Sequence, residues 1–275
     1  MHSRLFRRSG YKQHLLLVLG LLLAFNCQAE VKVGIQAYQT GNYADAWKEF
    51  QPFAEKGDAI AQNYVGLMYL QGQGVAKDEV QGAIWITKSA EQGLAEGEYN
   101  LGLIYDAGMG IAQDPVKAVF WDTKAAAQGL RGAQASLGMA YLQGRGVTKD
   151  TVQAAMWITK SAEQGDAQAQ YILGQFYFEG IGVAKNNEEA AKWATRAAEQ
   201  GNMKAQYSLG RMYQLGQALP QNSEKAYFYA LLAARQGDAE SVKFSEWLYG
   251  LLPVSRALQI QRDVRVWKPK PEIKS

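Results

Sequence analysis

The chain has 275 residues, 29 basic and 26 acidic side chains, a formal net charge of +3, two histidines and one cysteine. One hydrophobic nucleus rarely grows far beyond this length, so the chain is expected either to split or to be built from repeats. A single cysteine excludes a disulfide scaffold, and so small a net charge gives no electrostatic footprint for nucleic acid.

At the N-terminus Arg4, Arg7, Arg8 and Lys12 precede an apolar run from Leu15 to Phe25, followed by Cys27, Gln28 and Ala29 with small residues at the two positions a signal peptidase reads. This is the pattern of a secretory signal cleaved after Ala29, and the run is too short for the roughly 20 apolar residues of a membrane span. Residues 24–26 lack the pattern expected before a lipid-modified Cys27, and Ser9-Gly10-Tyr11 does not continue a twin-arginine motif from Arg7-Arg8. The general secretory route and a periplasmic or secreted location are expected. Removing residues 1–29 takes away both histidines and the cysteine, and it leaves 25 basic against 26 acidic groups, a net charge near −1.

From 31 to 56 the sequence reads as a helix pair broken at Gly41-Asn42-Tyr43, expected to cap the N-terminal end (residues 30–57). Beyond it a strict period of 36 begins, marked by Gly57, Gly93, Gly129, Gly165, Gly201 and Gly237. The same step separates Gly66, Gly102, Gly138, Gly174 and Gly210, then Tyr69 to Tyr213, then Trp85, Trp121, Trp157, Trp193 and Tyr229.

One period reads as two helices. The first, about 59–71, places Ala61, Val65, Met68 and Tyr69 on one face and stops at Gly72-Gln73-Gly74, where glycine supplies positive φ. Asp78, Asp114, Asp150, Asn186 and Asn222 then stand where a side chain can cap the second helix, which stops near Gln92-Gly93. So short a break predicts antiparallel helix pairs. A mid-helix glycine such as Gly66 costs about 0.8–1 kcal/mol relative to alanine, and close approach of the partner helix is the natural compensation.

After the last period, 239–250 repeats a first helix, and 254–267 carries Ala257, Ile260, Val264 and Trp267 on one stripe, a C-terminal cap over 238–267. Residues 268–275, beginning Lys-Pro-Lys-Pro, read as a disordered tail. Residues 256–275 hold six basic and two acidic side chains, an asymmetry that either steers a partner or is simply solvated.

The unit Ala133, Leu137-Gly138, Tyr141, Gly144-Arg145-Gly146-Val147, Asp150, Ala154, Trp157, Ala162 and Gly165 resembles the Sel-one-like repeat family, relatives of the tetratricopeptide repeats. Five such units fit between 58 and 237, and the last departs from the pattern at Gly216-Gln217-Ala218-Leu219 and Tyr229. The resemblance implies an all-α, right-handed α-solenoid of antiparallel helix pairs that binds a protein or peptide, with first helices lining its concave face.

On those helices the positions away from the core face are Asn63, Leu67, Leu70; Tyr99, Leu103, Asp106; Ala135, Met139, Leu142; Tyr171, Gln175, Phe178; and Tyr207, Arg211, Gln214. Only two of the fifteen are charged, too few for a face meant for water alone. Tyr99, Tyr171 and Tyr207 either touch a partner or pack against the next repeat. The binding stripe is assigned to Leu67, Tyr99, Leu103, Asp106, Met139, Tyr171, Gln175, Phe178, Tyr207, Arg211 and Gln214, because aromatic, methionine and arginine side chains are enriched at interface cores.

Without histidine or cysteine the mature chain has no Ser-His-Asp triad, thiol nucleophile or ordinary zinc site, so no cofactor or metal is expected. The periodic acids read as helix caps. The Gly-x-Gly loops follow no strand and lack the lysine of a phosphate-binding loop. Some cysteine-rich relatives are associated with β-lactams, which leaves an enzyme acting on β-lactams or cell-wall material as the alternative. The cysteines are missing here, and the one Ser-x-x-Lys, Ser9 to Lys12, lies in the signal. The partner and the oligomeric state are not legible.

Overall fold

A computed structural model of the chain describes residues 31–271. The expected signal segment with its cleavage site after Ala29 lies outside the described residues, as does the end of the tail, 272–275. The described residues form fourteen α-helices and no strand: α1 (31–39), α2 (Tyr43–Glu55), α3 (Ala59–Gln71), α4 (Glu79–Glu91), α5 (Ala95–Ala107), α6 (Pro115–Ala127), α7 (Arg131–Gln143), α8 (Thr151–Glu163), α9 (Ala167–Glu179), α10 (Asn187–Glu199), α11 (Met203–Leu215), α12 (Ser223–Ala234), α13 (Ala239–Tyr249) and α14 (Val254–Val266). This is an all-α fold of repeated helix pairs. The chain divides within the last turn of α6 into two compact units, up to Ala125 and from Ala126.

The 36-residue period has a local cause at each joint. In each of the five periods the first helix ends on a glycine in the left-handed region, from Gly72 at φ 68° to Gly216 at φ 66°. The chain then turns so that the amide of the capping residue returns to the tyrosine carbonyl, Asp78 to Tyr69 at 2.9 Å and Asn186 to Tyr177 at 2.8 Å. The same capping side chain accepts from the first turn of the second helix, as Asp150 does from Val152 and Gln153. The second glycine of the loop meets a further constraint: a β-carbon at Gly182 would overlap the Thr151 carbonyl at the start of α8. In the last unit Ala218 holds that place with φ 65°, a left-handed alanine.

The mid-helix glycines mark the closest helix approaches. A β-carbon on Gly66 would stand 2.6 Å from Ile86 Cγ1 and 3.0 Å from the Gly82 carbonyl oxygen, and one on Gly138 would stand 2.7 Å from Ile158 Cγ1. At Gly174 and Gly210 the obstacle is backbone, the carbonyls of Ala190 at 3.2 Å and Ala226 at 3.1 Å. Around these crossings sit Leu101, Leu137, Leu173 and Leu209, all fully buried. The four periodic tryptophans pack at the edge, half-buried except for buried Trp193, each with a cation over its ring, as with Lys88 4.1 Å above Trp85 and Lys160 4.1 Å above Trp157.

Successive repeats are joined by buried glutamines. Gln170 on α9 donates to the Ala162 carbonyl at the end of α8 (3.1 Å) and accepts from Gln200 (2.8 Å), whose amide also reaches the Gly165 carbonyl at 3.0 Å. Gln206 and Gln236 repeat this pattern around Ala198 and Gly201, and in the first unit Gln62 bonds to Ala54 and Gln92. Carbonyls left free at helix ends are thereby satisfied inside the protein.

The second unit closes on α14. Ala257, Ile260 and Val264 are buried against Ala226, Tyr227 and Ala230, and Gln261 donates to the Tyr227 hydroxyl at 2.9 Å. The tail expectation needs correction at its start: the Lys270 amide donates to the Glu199 carbonyl at 2.8 Å, so described residues 268–270 lie against the end of α10. The carbonyl is available because it ends a helix, and the lysine finds the Glu199 carboxylate beside it.

Two outcomes test this packing. Gly138→Leu forces its side chain into Ile158 and should cost about 3 kcal/mol, read as a clear fall in melting temperature by circular dichroism; unchanged melting would refute the packing role of the glycine. Ending the chain before Pro253 removes α14 and uncovers Ala226, Tyr227 and Ala230, so the shortened chain should melt lower and self-associate in light scattering. A monomer with the original melting temperature would show that α14 covers nothing essential.

Candidate binding surface

The first-helix stripe is not uniform. In the first unit Asn63, expected to point outward, is buried and accepts a 2.8 Å hydrogen bond from Asn100, because the next first helix packs over it. Leu67 and Leu70 are half-buried against the cluster around Leu101 and Ile104, and Leu70 lies over Gly82. Tyr99 is half-buried and Leu103 is 38% exposed. Asp106 is half-buried and faces a second acid.

That second acid is Asp122, a residue the sequence reading did not single out. It occupies the position held by Ile86 and Ile158 in neighbouring periods, 7% exposed, with Oδ1 2.5 Å from where a Gly102 β-carbon would lie. Oδ1 has no hydrogen-bond partner among the described residues, and burial, reinforced by Asp106, pushes the carboxyl up to about 7. Since its folded pKa lies above its unfolded one, the folded state binds the extra proton, and stability falls as pH rises from about 4 to about 7. Asp122→Ile, restoring the side chain of the two neighbouring periods, should raise the melting temperature at pH 8 and flatten its pH dependence between 5 and 8; a variant melting like the original at pH 8 would show that the buried carboxylate carries no cost.

Its neighbour Glu98 is also buried but is paired, with Lys124 Nζ 3.3 Å away. It stands where the other repeats carry the joining glutamine.

In the second unit Met139 is half-buried, packing with Leu142 on the core around Ile158, and Ala135 is also half-buried. The next two first helices bring most of the expected residues together. Tyr171 and Phe178 on α9 pack half-buried against the α11 core of Leu209 and Met212, and Lys185 sits 5.5 Å over the Phe178 ring. Gln175 Nε2 lies 3.5 Å from Ser208 Oγ. On α11, Tyr207 stacks edge-on to Phe244 with ring centres 5.8 Å apart, and its hydroxyl lies 3.5 Å from Glu240. The tyrosines thus do pack toward the following helix, while keeping one edge open.

Two open depressions share Ser208 on this face. One, of ≈ 500 Å³, is lined by Gln175, Phe178, Arg211, Met212, Leu215 and Gln217; the other, of ≈ 340 Å³, by Tyr171, Met203, Lys204, Tyr207, Asp238 and Glu240. Arg211 is exposed, its guanidinium 6.0 Å from the Tyr207 ring, with no carboxylate partner among the described residues. Gln214, half-buried, has an Oε1 without a partner among the described residues. Leu215 is 55% exposed at the rim. Ser208, Met212, Leu215 and Gln217 were not expected at the site; Leu215 and Gln217 escaped notice because they belong to the helix end and loop rather than to the stripe.

Among the described residues no group of three or more His, Cys, Asp or Glu is placed to hold a metal ion, and no helix is long and apolar enough to cross a membrane.

Repeated helix pairs, joined at a fixed period by capped turns and presenting a half-apolar face, define a helical-repeat protein. The Sel1 repeat model matches residues 59–94, 95–130, 132–166, 167–202 and 204–238, and the chain belongs to the Sel1 repeat family. Members of that family mediate protein–protein interactions and are in general non-enzymatic scaffolds. Among solved structures the chain is similar to c5321, a protective antigen of uropathogenic Escherichia coli strains displaying an SLR fold, with 32% identity and a TM-score of 0.77 over 87% of this chain and 53% of that one. The present chain therefore spans about half the length of that relative. It is also similar to a Sel1 repeat protein from Oxalobacter formigenes, at 29% identity and a TM-score of 0.74, covering 88% of this chain and 99% of that one. No match was found among curated proteins.

Proposed function

We propose that the protein is an exported scaffold that binds a protein or peptide on the face of α9 and α11, the concave side of a solenoid. The observation that carries the reading is the composition of that face: Phe178, Tyr171 and Leu215 offer apolar surface beside Arg211, a cation without a carboxylate partner among the described residues. Half-buried aromatics are already ordered by the core beneath them, so a partner can bury their free edges at little entropic cost. Arginine presents a planar fork suited to a carboxylate. The expected ligand is an apolar segment bearing one acidic group. Export rests on residues 1–29 and is read from their sequence alone.

The test is crosslinking and capture from the cell envelope against a mock, followed by direct binding with the recovered partner. Phe178→Ala with Arg211→Ala should weaken binding by roughly 1–3 kcal/mol while leaving the melting temperature unchanged. Full affinity in the double variant would move the binding surface elsewhere.

A further inference from the structure

Beyond α14 the chain does something the repeat pattern does not require. Trp267 has φ −63° and ψ 138°, the polyproline II region, and the next residues are non-helical. Pro269 and Pro271 fix their own φ and hold Lys268 and Lys270 extended, so the sequence itself preorganises this segment.

Three consecutive features of the turn between α10 and α11 receive it. The Pro269 ring lies over Gly201, with Cγ 3.1 Å and Cβ 3.4 Å from where a side chain would begin. The Lys270 amide donates to the Glu199 carbonyl at 2.8 Å, and Lys270 Nζ pairs with Glu199 Oε2, also at 2.8 Å. Each contact has a chemical reason. Gly201, at φ +92°, has no side chain to obstruct a ring; the Glu199 carbonyl is an unsatisfied acceptor at the negative end of a helix; the carboxylate next to it selects a cation. Beside the segment an open cleft of ≈ 620 Å³ remains between Trp267 and Pro269 on one wall and Leu232, Arg235 and Gln236 on the other.

We propose that the turn joining α10 to α11 is a binding site for an extended, cationic, proline-containing peptide, and that residues 268–270 of the chain occupy it as a displaceable internal ligand. This site is separate from the α9–α11 face and stands whether or not that face binds a partner. The hold is light: one backbone hydrogen bond, one ring contact and an ion pair whose side chains are 68% and 36% exposed. Its strength comes from the tether, which keeps the segment at an effective concentration on the order of millimolar. A competing segment of the same chemistry takes the site when it is longer or multivalent.

The probe is a fluorescent peptide of residues 266–275, titrated by anisotropy into the full chain. Against the unmodified protein it should bind at least about tenfold more weakly than against P269G/K270E, whose own tail no longer fills the site. Adding Glu199→Lys to that variant should return binding to the weak level. Equal binding to the unmodified and tail-altered chains, or binding that survives Glu199→Lys, would overturn the proposal. A second measurement needs no variant: the Lys270 amide hydrogen in the full chain should exchange at least about tenfold more slowly than in the free peptide. Exchange at the free-peptide rate would equally reject an occupied site.

Discussion

Each repeat is organised around a helix crossing so close that an added β-carbon would be crowded. With Gly66 and Gly138 set against Ile86 and Ile158, the backbone of one helix lies almost on the side chains of the next, and that distance fixes where everything else can go. Leucines and alanines fill the narrow core, the tryptophans are displaced to its edge, and the loops must turn within a few residues to keep the two helices together. The conformational cost of the glycines is returned as contact, since dispersion and burial both grow as backbones approach. A longer side chain at the crossing would not merely add a clash; it would tilt the pair and shift the carbonyls to which the joining glutamines bond.

Those glutamines are the second constraint. Gln170, Gln206 and Gln62 are buried polar groups, and a buried amide left unpaired costs more than its hydrogen bonds contribute when made. Here each amide is shared across a repeat boundary, so a repeat that slipped would orphan donors on both sides. Apolar packing brings the pairs together without choosing a register, and the polar network chooses it. In the second repeat Glu98 stands in this place and takes Lys124 as its partner.

Much of this was legible in the sequence. The period, the helix ends at Gly72 and its equivalents, the caps at Asp78 through Asn222 and the close-packing role of Gly66 all follow from local rules and appear in the fold. Other features did not, and three of them show why. Asn63 was placed on an open face because helical spacing gives the direction of a side chain but not what the next repeat lays over it; Asn100 covers it. The glutamine pairs are as periodic as the tryptophans, yet a polar residue at regular spacing looks solvated until its partner thirty residues on is known to be near. Residues 268–270 read as disordered from composition, which carries no signal for a carbonyl waiting at the end of α10.

What the period cannot supply lies in the positions that break it. Where the repeats agree, physics demands the residue: a glycine to let helices touch, a carboxylate or amide to cap, a glutamine to join. Where they disagree, packing leaves the choice open or is overruled. Asp122 replaces isoleucine at a buried crossing and is therefore tolerated against stability, which is a cost that local folding does not explain. Phe178 and Arg211 differ from Leu142 and Met139 at equivalent places, although any half-apolar side chain would satisfy the core beneath them. A helical-repeat framework separates these two kinds of position more sharply than an irregular fold does, because every structural requirement is met several times over and a departure stands out against its own neighbours. The regular residues account for the scaffold, and the irregular ones on α9, α11 and the segment after α14 are where recognition has room to be specified.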